Sequence, residues 1–348
     1  MHSWLAEMLV DPLSGGSLTI EADTSTDDRI ESGALVSLDG RRFPIRNGIP
    51  RFVDAHDPGE AQVAESFGFK WGRGRSYEAP RFKAWYETWL LTKYGFGDAS
   101  AASAHFQSFA TVLEVGCGVG LSSAITLSGE NPDQRWVGLD ISSAIDVARE
   151  RLGEPDSRGF VQGDALRLPF GDGTFQAIFS EGVLHHTPST EAAVRSLIRA
   201  LAPGGELMFY VYRKKGPIRE FADDYIRGRL ADLPPDEAWR QTGQLTDLAR
   251  RLSEMHASID VPEDIPLLGI RAGRHDVQRL IYWTFAKLYW NDEFGFDGSN
   301  LVNFDWYHPQ FAHRHTEDEV RSWCEEGDLT MIHFDAQESG FTVRARKG

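Results

Sequence analysis

Cysteine is scarce: Cys117 and Cys324 are the only two in 348 residues. Two isolated thiols build neither a disulfide framework nor a thiolate zinc site, and no metal is expected. Positive charge is also short, with 36 Lys and Arg against 52 Asp and Glu and a formal net charge of −16. A field of that sign repels a polyanion and argues against nucleic acid as a partner. The best short basic groups, Arg73 with Arg75 and Arg213 with Lys214 and Lys215, read as solvated surface charge. Long apolar runs are missing too. No uncharged stretch approaches the ~20 residues that span a bilayer. The opening MHSWLAEMLVDPLSGG has no basic start followed by an apolar run. Neither membrane insertion nor a signal peptide is expected, and a cytoplasmic location is the expectation by elimination.

What is present belongs to a folded protein. Hydrophobic residues make up 41% of the chain, with ten Trp and 21 Phe, enough for a large core and an aromatic-lined pocket. The length predicts two domains, or one domain with insertions. Residues 1–54 alternate short apolar runs with turn signals such as Asp39-Gly40 and Asn47-Gly48, the pattern of a small strand-rich module. Residues 55–105 turn helical and aromatic, and the stripe Phe82, Trp85, Trp89, Leu90 reads as core.

From residue 106 to 212 strands and helices alternate. TVLEV, RWVGLD, GFVQGD, FQAIFSEG and ELMFYVY are five short apolar strands separated by helical patterns, and Pro203-Gly204-Gly205 marks the turn into the fifth. That rhythm predicts an α/β fold, a parallel sheet with helices on both faces. Residues 213–300 interrupt it with helical patterns over 236–256 and 276–290, the second apolar over much of its circumference and read evenly as plain core or as a substrate cap. Residues 301–348 resume it with one helix and two strands.

The strongest chemical signal is VLEVGCGVG, between a strand and a helix. Gly116, Gly118 and Gly120 let backbone turn sharply and approach a ligand. The dinucleotide pattern would put a third glycine where Leu121 stands, which counts against NAD. Glu114, just before the loop, suits a cationic amino group better than a pyrophosphate. Asp140 ends the second strand, placed for a ribose diol, and Asp164 ends the third, placed for an adenine amino group. Each acid alone is as readily a helix cap; three at consecutive strand ends beside a glycine loop point to a ligand.

VLEVGCGVG, VGLDIS, QGDALRLPFGDGTFQAIFSEGVLHHT and LAPGGELMFYVY together resemble the class I S-adenosylmethionine (SAM)-dependent methyltransferases, in particular a branch with GVLHHTP after the fourth strand. The resemblance implies a Rossmann-like sheet. It also implies that Glu114, Gly116, Cys117 and Gly118 hold the methionine part of SAM, Asp140 the ribose, and Ile141, Gly163, Asp164 and Ala165 the adenine, with Glu181 and His185 completing the cofactor site. Residues 1–54 resemble a Trm112-type module, but Asp11, Ser14, Val36 and Asp39 stand where zinc-bearing relatives have cysteines. A metal-free packing or docking unit is expected.

Methyl transfer needs positioning, and a base where the acceptor holds its proton tightly. His186 and Glu181 are the candidate catalytic residues. Tyr212, Tyr307, His308 and His313 are the candidate substrate-binding ones, the last three from the segment NFDWYHPQFAHRHT that also holds Asp305 and His315. The expected reaction methylates a small-molecule acceptor, a natural-product or sugar-type intermediate, and releases S-adenosylhomocysteine. A tRNA or protein methyltransferase and a non-catalytic SAM-binding partner subunit are the alternatives. A homodimer is left open.

Overall fold

The computed structural model describes residues 1–26, 29–53, 58–73, 80–127 and 131–348. Arg75 therefore lies outside the described residues. Two compact units divide the chain: the first takes residues 1–56, 85–212 and 315–348, the second 57–84 and 213–314.

The chain opens with α1 (Ser3–Met8) and the strands β1 (Leu18–Thr26), β2 (Arg29–Ser37), β3 (Arg42–Arg46) and β4 (Ile49–Pro50), which form a four-stranded sheet of antiparallel neighbours. Helix α2 (Pro58–Gly72) belongs to the second unit, α3 (Pro80–Lys93) runs from the second into the first, and α4 (Ala99–Gln107) belongs to the first. The alternating region follows as β5 (Thr111–Val115), α5 (Ser123–Thr126), β6 (Arg135–Asp140), α6 (Ala144–Leu152), β7 (Arg158–Gln162), β8 (Phe175–Ser180), α7 (Thr190–Ala200) and β9 (Leu201–Tyr212). The second unit resumes with α8 (Pro217–Leu230), α9 (Pro235–Glu254), the hairpin β10 (Ser258–Val261) and β11 (Gly273–Asp276), α10 (Val277–Thr284) and α11 (Gly295–Tyr307). Helix α12 (Glu317–Glu326), β12 (Leu329–Ala336) and β13 (Gly340–Lys347) return to the first.

Seven strands form the main sheet in the order β12-β13-β9-β8-β5-β6-β7. Strands β5 to β9 are parallel, and β13 enters antiparallel against β9. Successive strand side chains point to opposite faces, and the apolar residues sort accordingly. Leu113, Val137, Val161, Ile178 and Phe209 join α7 and α12 in one core cluster. Val112, Trp136, Phe160, Phe179 and Tyr210 join α3, α4 and α6 in another. Helices therefore cover both faces, as the continuous apolar strands require. Leu5, Phe43 and Phe52 of the first 54 residues belong to the first of these clusters, and backbone pairing at Arg51 and Gln162 extends the β7 edge.

Three expectations change. Pro203-Gly204-Gly205 does not precede the fifth strand but lies within β9, beside a register shift against β8; the irregularity absorbs the proline that a regular ladder excludes. The helix read after the glycine loop is, among the described residues, the four residues of α5. In the second unit α11 runs continuously through residue 300, where a boundary was expected.

Candidate active site

The carboxyl ends of β5 to β8 carry the acidic residues and the glycine loop together. Leu139 O receives Gly116 N at 2.6 Å and Cys117 N at 3.1 Å, which locks the loop onto the neighbouring strand. Gly116 has φ +74°, and a Cβ there would stand 2.2 Å from Val183 Cγ2. No side chain fits. Gly118, at φ +54°, turns its N–H onto Asp140 Oδ2 at 2.8 Å. The Cys117 thiol is buried, and burial pushes its pKa well up, so it lines the loop as an inert apolar group.

Glu114 is 1% exposed. One carboxylate oxygen accepts Ser122 Oγ at 2.5 Å, while Oε2 has no hydrogen-bond partner among the described residues. Burial raises its pKa to about 7; the serine bond opposes the rise, and nearby Glu181 and Asp140 add to it. A buried carboxylate oxygen without a donor is costly. Beside a backbone cradle that admits no side chain, this site fits the cationic amino-acid part of S-adenosylmethionine.

The other two acids already do local work. Asp140 Oδ1 accepts Ser142 N at 2.8 Å and Ser142 Oγ at 2.7 Å, so its carboxylate ties the glycine loop to the start of α6. Asp164 accepts Leu166 N at 2.8 Å and Arg167 Nε at 3.0 Å, which closes its own turn. Gly163 N bonds Asp140 O at 3.0 Å, and Ile141 O accepts Gln162 Nε2 at 3.0 Å; these bonds hold the ends of β6 and β7 side by side. Ala165 is buried beside them.

Sequence reasoning missed the partners that hold Glu181. Lys93 Nζ lies 2.5 Å from Glu181 Oε1, and Tyr94 OH donates to Glu181 Oε2 at 2.7 Å. The ammonium sits 3.8 Å from the Trp89 ring centroid and 3.6 Å from that of Tyr210, a cation held between aromatic faces. Burial brings the Lys93 pKa down to about 8 against the pull of Glu181. The Tyr86 hydroxyl is pushed well up by burial, then by Glu181 and Glu114. A signal existed: Tyr86, Trp89 and Lys93 share one helix face, and a lysine on an apolar stripe is an anomaly. The apolar stripe read from the sequence, Phe82, Trp85, Trp89 and Leu90, leaves out Tyr86 and Lys93.

The histidine pair after β8 is enclosed. His185 is 0% exposed and lies against Tyr212, ring centroids 3.6 Å apart; His186 is 4% exposed and meets Tyr212 edge-on at 5.6 Å. Beside them His315 bonds Thr190 Oγ1 at 2.9 Å, and its backbone N donates to Tyr212 O at 2.8 Å.

The remaining candidates lie in the second unit and serve its interior. Tyr307 OH donates to Asp223 Oδ1 at 2.7 Å and accepts Lys287 N at 2.8 Å. His308 is buried, bonded through Nδ1 to Ser66 Oγ at 2.8 Å and through Nε2 to Leu233 O at 3.0 Å, and stacked on Phe304. Both ring nitrogens are thus engaged within its own unit. His313 stacks on Phe311.

The glycine loop and the acids at successive strand ends stand on a mostly parallel sheet, the Rossmann-like arrangement of methyltransferase folds. Residues 113–209 match the family model described as a methyltransferase domain. Over 120 residues the chain is 36% identical to a tRNA (carboxymethyluridine(34)-5-O)-methyltransferase, alkbh8, of Xenopus tropicalis, a match covering 33% of this chain and 18% of that one. Over 127 residues it is 30% identical to a phthiotriol/phenolphthiotriol dimycocerosates methyltransferase of Mycobacterium leprae, covering 36% and 46%. Among solved structures, the N-methyltransferase NodS of Bradyrhizobium japonicum WM9, in complex with S-adenosyl-L-homocysteine, is 14% identical over 82% of this chain and 98% of that one, with a TM-score of 0.42. The chain spans less than half the length of these curated relatives. No helix among the described residues is long and apolar enough to cross a membrane.

Proposed function

We propose that the whole chain is a methyltransferase that moves the methyl group of S-adenosylmethionine to a small-molecule acceptor and releases S-adenosylhomocysteine. The observation that carries this reading is the Glu114 oxygen, buried and without a donor at the mouth of a backbone cradle. Bound there, S-adenosylmethionine supplies an electrophilic methyl on a sulfonium. Glu114 and the loop at Gly116, Cys117 and Gly118 would hold its amino-acid end. Asp140 would take the ribose hydroxyls, with Ile141, Gly163, Asp164 and Ala165 around the adenine. Asp164 keeps lone pairs beyond the two bonds it already accepts.

Two donors, Lys93 and Tyr94, already occupy Glu181. We assign it the positioning of Lys93 and Tyr94, with His185 stacked behind as support. His186 is the general base where the acceptor needs one, with Tyr212 beside it. The net charge of −16 and the aromatic groups at the ends of β8 and β9 favour a small acceptor. One named relative acts on tRNA, which keeps a tRNA acceptor as the second reading. The first 54 residues act as a metal-free unit in which the Asp11–Arg41 ion pair, at 2.6 Å, ties the first turn to the β2–β3 turn.

The test is mass-spectrometric detection of S-adenosylhomocysteine and methylated product from a small-molecule panel and from total tRNA. His186→Ala is expected to lower turnover on the order of a hundredfold while leaving S-adenosylmethionine affinity intact. Parallel loss of both would assign His186 a structural role. Binding without turnover on any acceptor would leave a partner subunit instead.

A further inference from the structure

Strand β4 of the amino-terminal sheet runs out at Arg51, beside the carboxyl end of β7. Arg51 forms a parallel bridge with Gln162, and Phe52 N donates to Gln162 O at 2.8 Å. The Arg51 backbone N donates to Pro44 O at 2.9 Å, so β3 and β7 hold this segment from both sides. Its side chain is 14% exposed. The guanidinium takes both oxygens of Asp146, Nη2 to Oδ1 at 2.7 Å and Nη1 to Oδ2 at 2.9 Å. Nη1 also donates to Gln162 Oε1 at 2.9 Å. Asp146 lies in the first turn of α6, and Gln162 is the last residue of β7. One planar, permanently charged fork thus joins a helix start to a strand end.

The consequence lies one bond further on. Gln162 Nε2 donates to Ile141 O at 3.0 Å. A side-chain amide has an acceptor oxygen on one side and a donor nitrogen on the other. Arg51 claims the oxygen, so the nitrogen faces the Ile141 carbonyl. The flipped amide would set donor against donor and acceptor against acceptor. Arg51 therefore selects the orientation that ties the turn after β6 to the end of β7, where Gly163 N to Asp140 O is a second tie at 3.0 Å. Asp140, Ile141, Gly163 and Asp164 are the residues that would surround the adenosine of S-adenosylmethionine. Arg51 stands 111 positions before Gln162, far outside the sequence motifs of the cofactor site.

We propose that Arg51 is a positioning residue for the adenosine half of the cofactor: through Gln162 and Asp146 it holds the turns after β6 and β7 at the spacing that admits an adenine. The inference rests on the methyl-transfer reading of this site. Turns fixed before the ligand arrives lower the ordering cost of binding. The amino-terminal sheet thereby takes part in cofactor recognition without touching the cofactor.

The experiment titrates the full chain calorimetrically with S-adenosylhomocysteine and with S-inosylhomocysteine, in which an oxygen replaces the adenine amino group. The wild-type chain is expected to prefer the adenine form. Arg51→Met should weaken S-adenosylhomocysteine binding roughly tenfold and narrow that preference. Gln162→Met, which keeps the Arg51–Asp146 pair, should narrow it too, and it carries the test if Arg51→Met fails to fold. Arg29 pairs with Glu154 beyond the far end of α6, at 3.5 Å. Arg29→Met should therefore lower the melting temperature and leave the preference at the wild-type value, which separates positioning from general loss of stability. An unchanged preference in Arg51→Met or Gln162→Met would overturn the proposal, as would equal narrowing in Arg29→Met or equal binding of both ligands by the wild type. A wild-type chain that binds neither ligand removes the methyl-transfer reading itself, whereas a preference indifferent to Arg51 removes this inference alone.

Discussion

At the scale of single residues, the informative groups are those whose charge is at odds with their surroundings. Glu114 has a pKa of about 7 in the ligand-free protein, raised from the ordinary carboxyl value chiefly by burial. The folded state therefore binds its proton more tightly than the unfolded state, and this group lowers stability as pH rises from about 4.5 through 7. A cation beside it favours the carboxylate, so binding should release a proton below about pH 7. S-adenosylmethionine affinity is expected to rise with pH to about 7, by at most roughly tenfold per unit, and then level off. Glu114→Gln should flatten that profile and weaken binding roughly ten- to a hundredfold. Calorimetry in buffers of different ionisation heat measures both; an unchanged profile in the mutant would remove Glu114 from the cofactor site. The acid was legible in the sequence because it ends a strand before a glycine loop. Its missing donor was not, since that depends on which groups from other elements reach it.

At the scale of elements, two junctions carry the site. The turn after β5 needs Gly116 for two separate reasons, a positive φ and the Val183 side chain where a Cβ would go. Gly116→Ala is expected to cost roughly 1–3 kcal/mol and to abolish S-adenosylmethionine binding. Adding Val183→Ala should recover part of the stability but not the strain of the left-handed backbone. Thermal denaturation of the single and double variants tests this, and an unchanged melting temperature in Gly116→Ala would refute it. The second junction ties α3 to the end of β8 through Lys93 and Glu181, whose side chains are 2% and 8% exposed. Removing one partner of a buried pair typically costs ~3–5 kcal/mol, so Lys93→Met should destabilise strongly and the Lys93→Met, Glu181→Gln double variant should recover much of the loss. Additive effects in that cycle would show that the two do not act as a pair. The strands, helices and glycine loop of this region were readable from local periodicity. The Lys93 junction was not, because it joins residues 88 positions apart.

At the scale of the molecule, charge bears on the acceptor. With −16 overall, the chain is expected not to retain total tRNA at ~0.15 M salt, where surface charges more than a Debye length apart are screened. A gel-shift measurement decides it, and tight binding with steep salt dependence would move the acceptor to tRNA. By itself the sequence determined the alternating α/β sheet, the glycine loop and the acids at the strand ends. Each is written in short windows, in a 3.6- or two-residue period, or in a turn that demands glycine. Only the tertiary structure decided that Glu181 is held by Lys93 and Tyr94 and that Tyr307 and His308 bond within the interior of the second unit. Those outcomes depend on which distant side chains share a buried volume, and desolvation there, not residue type, sets what each charge can do.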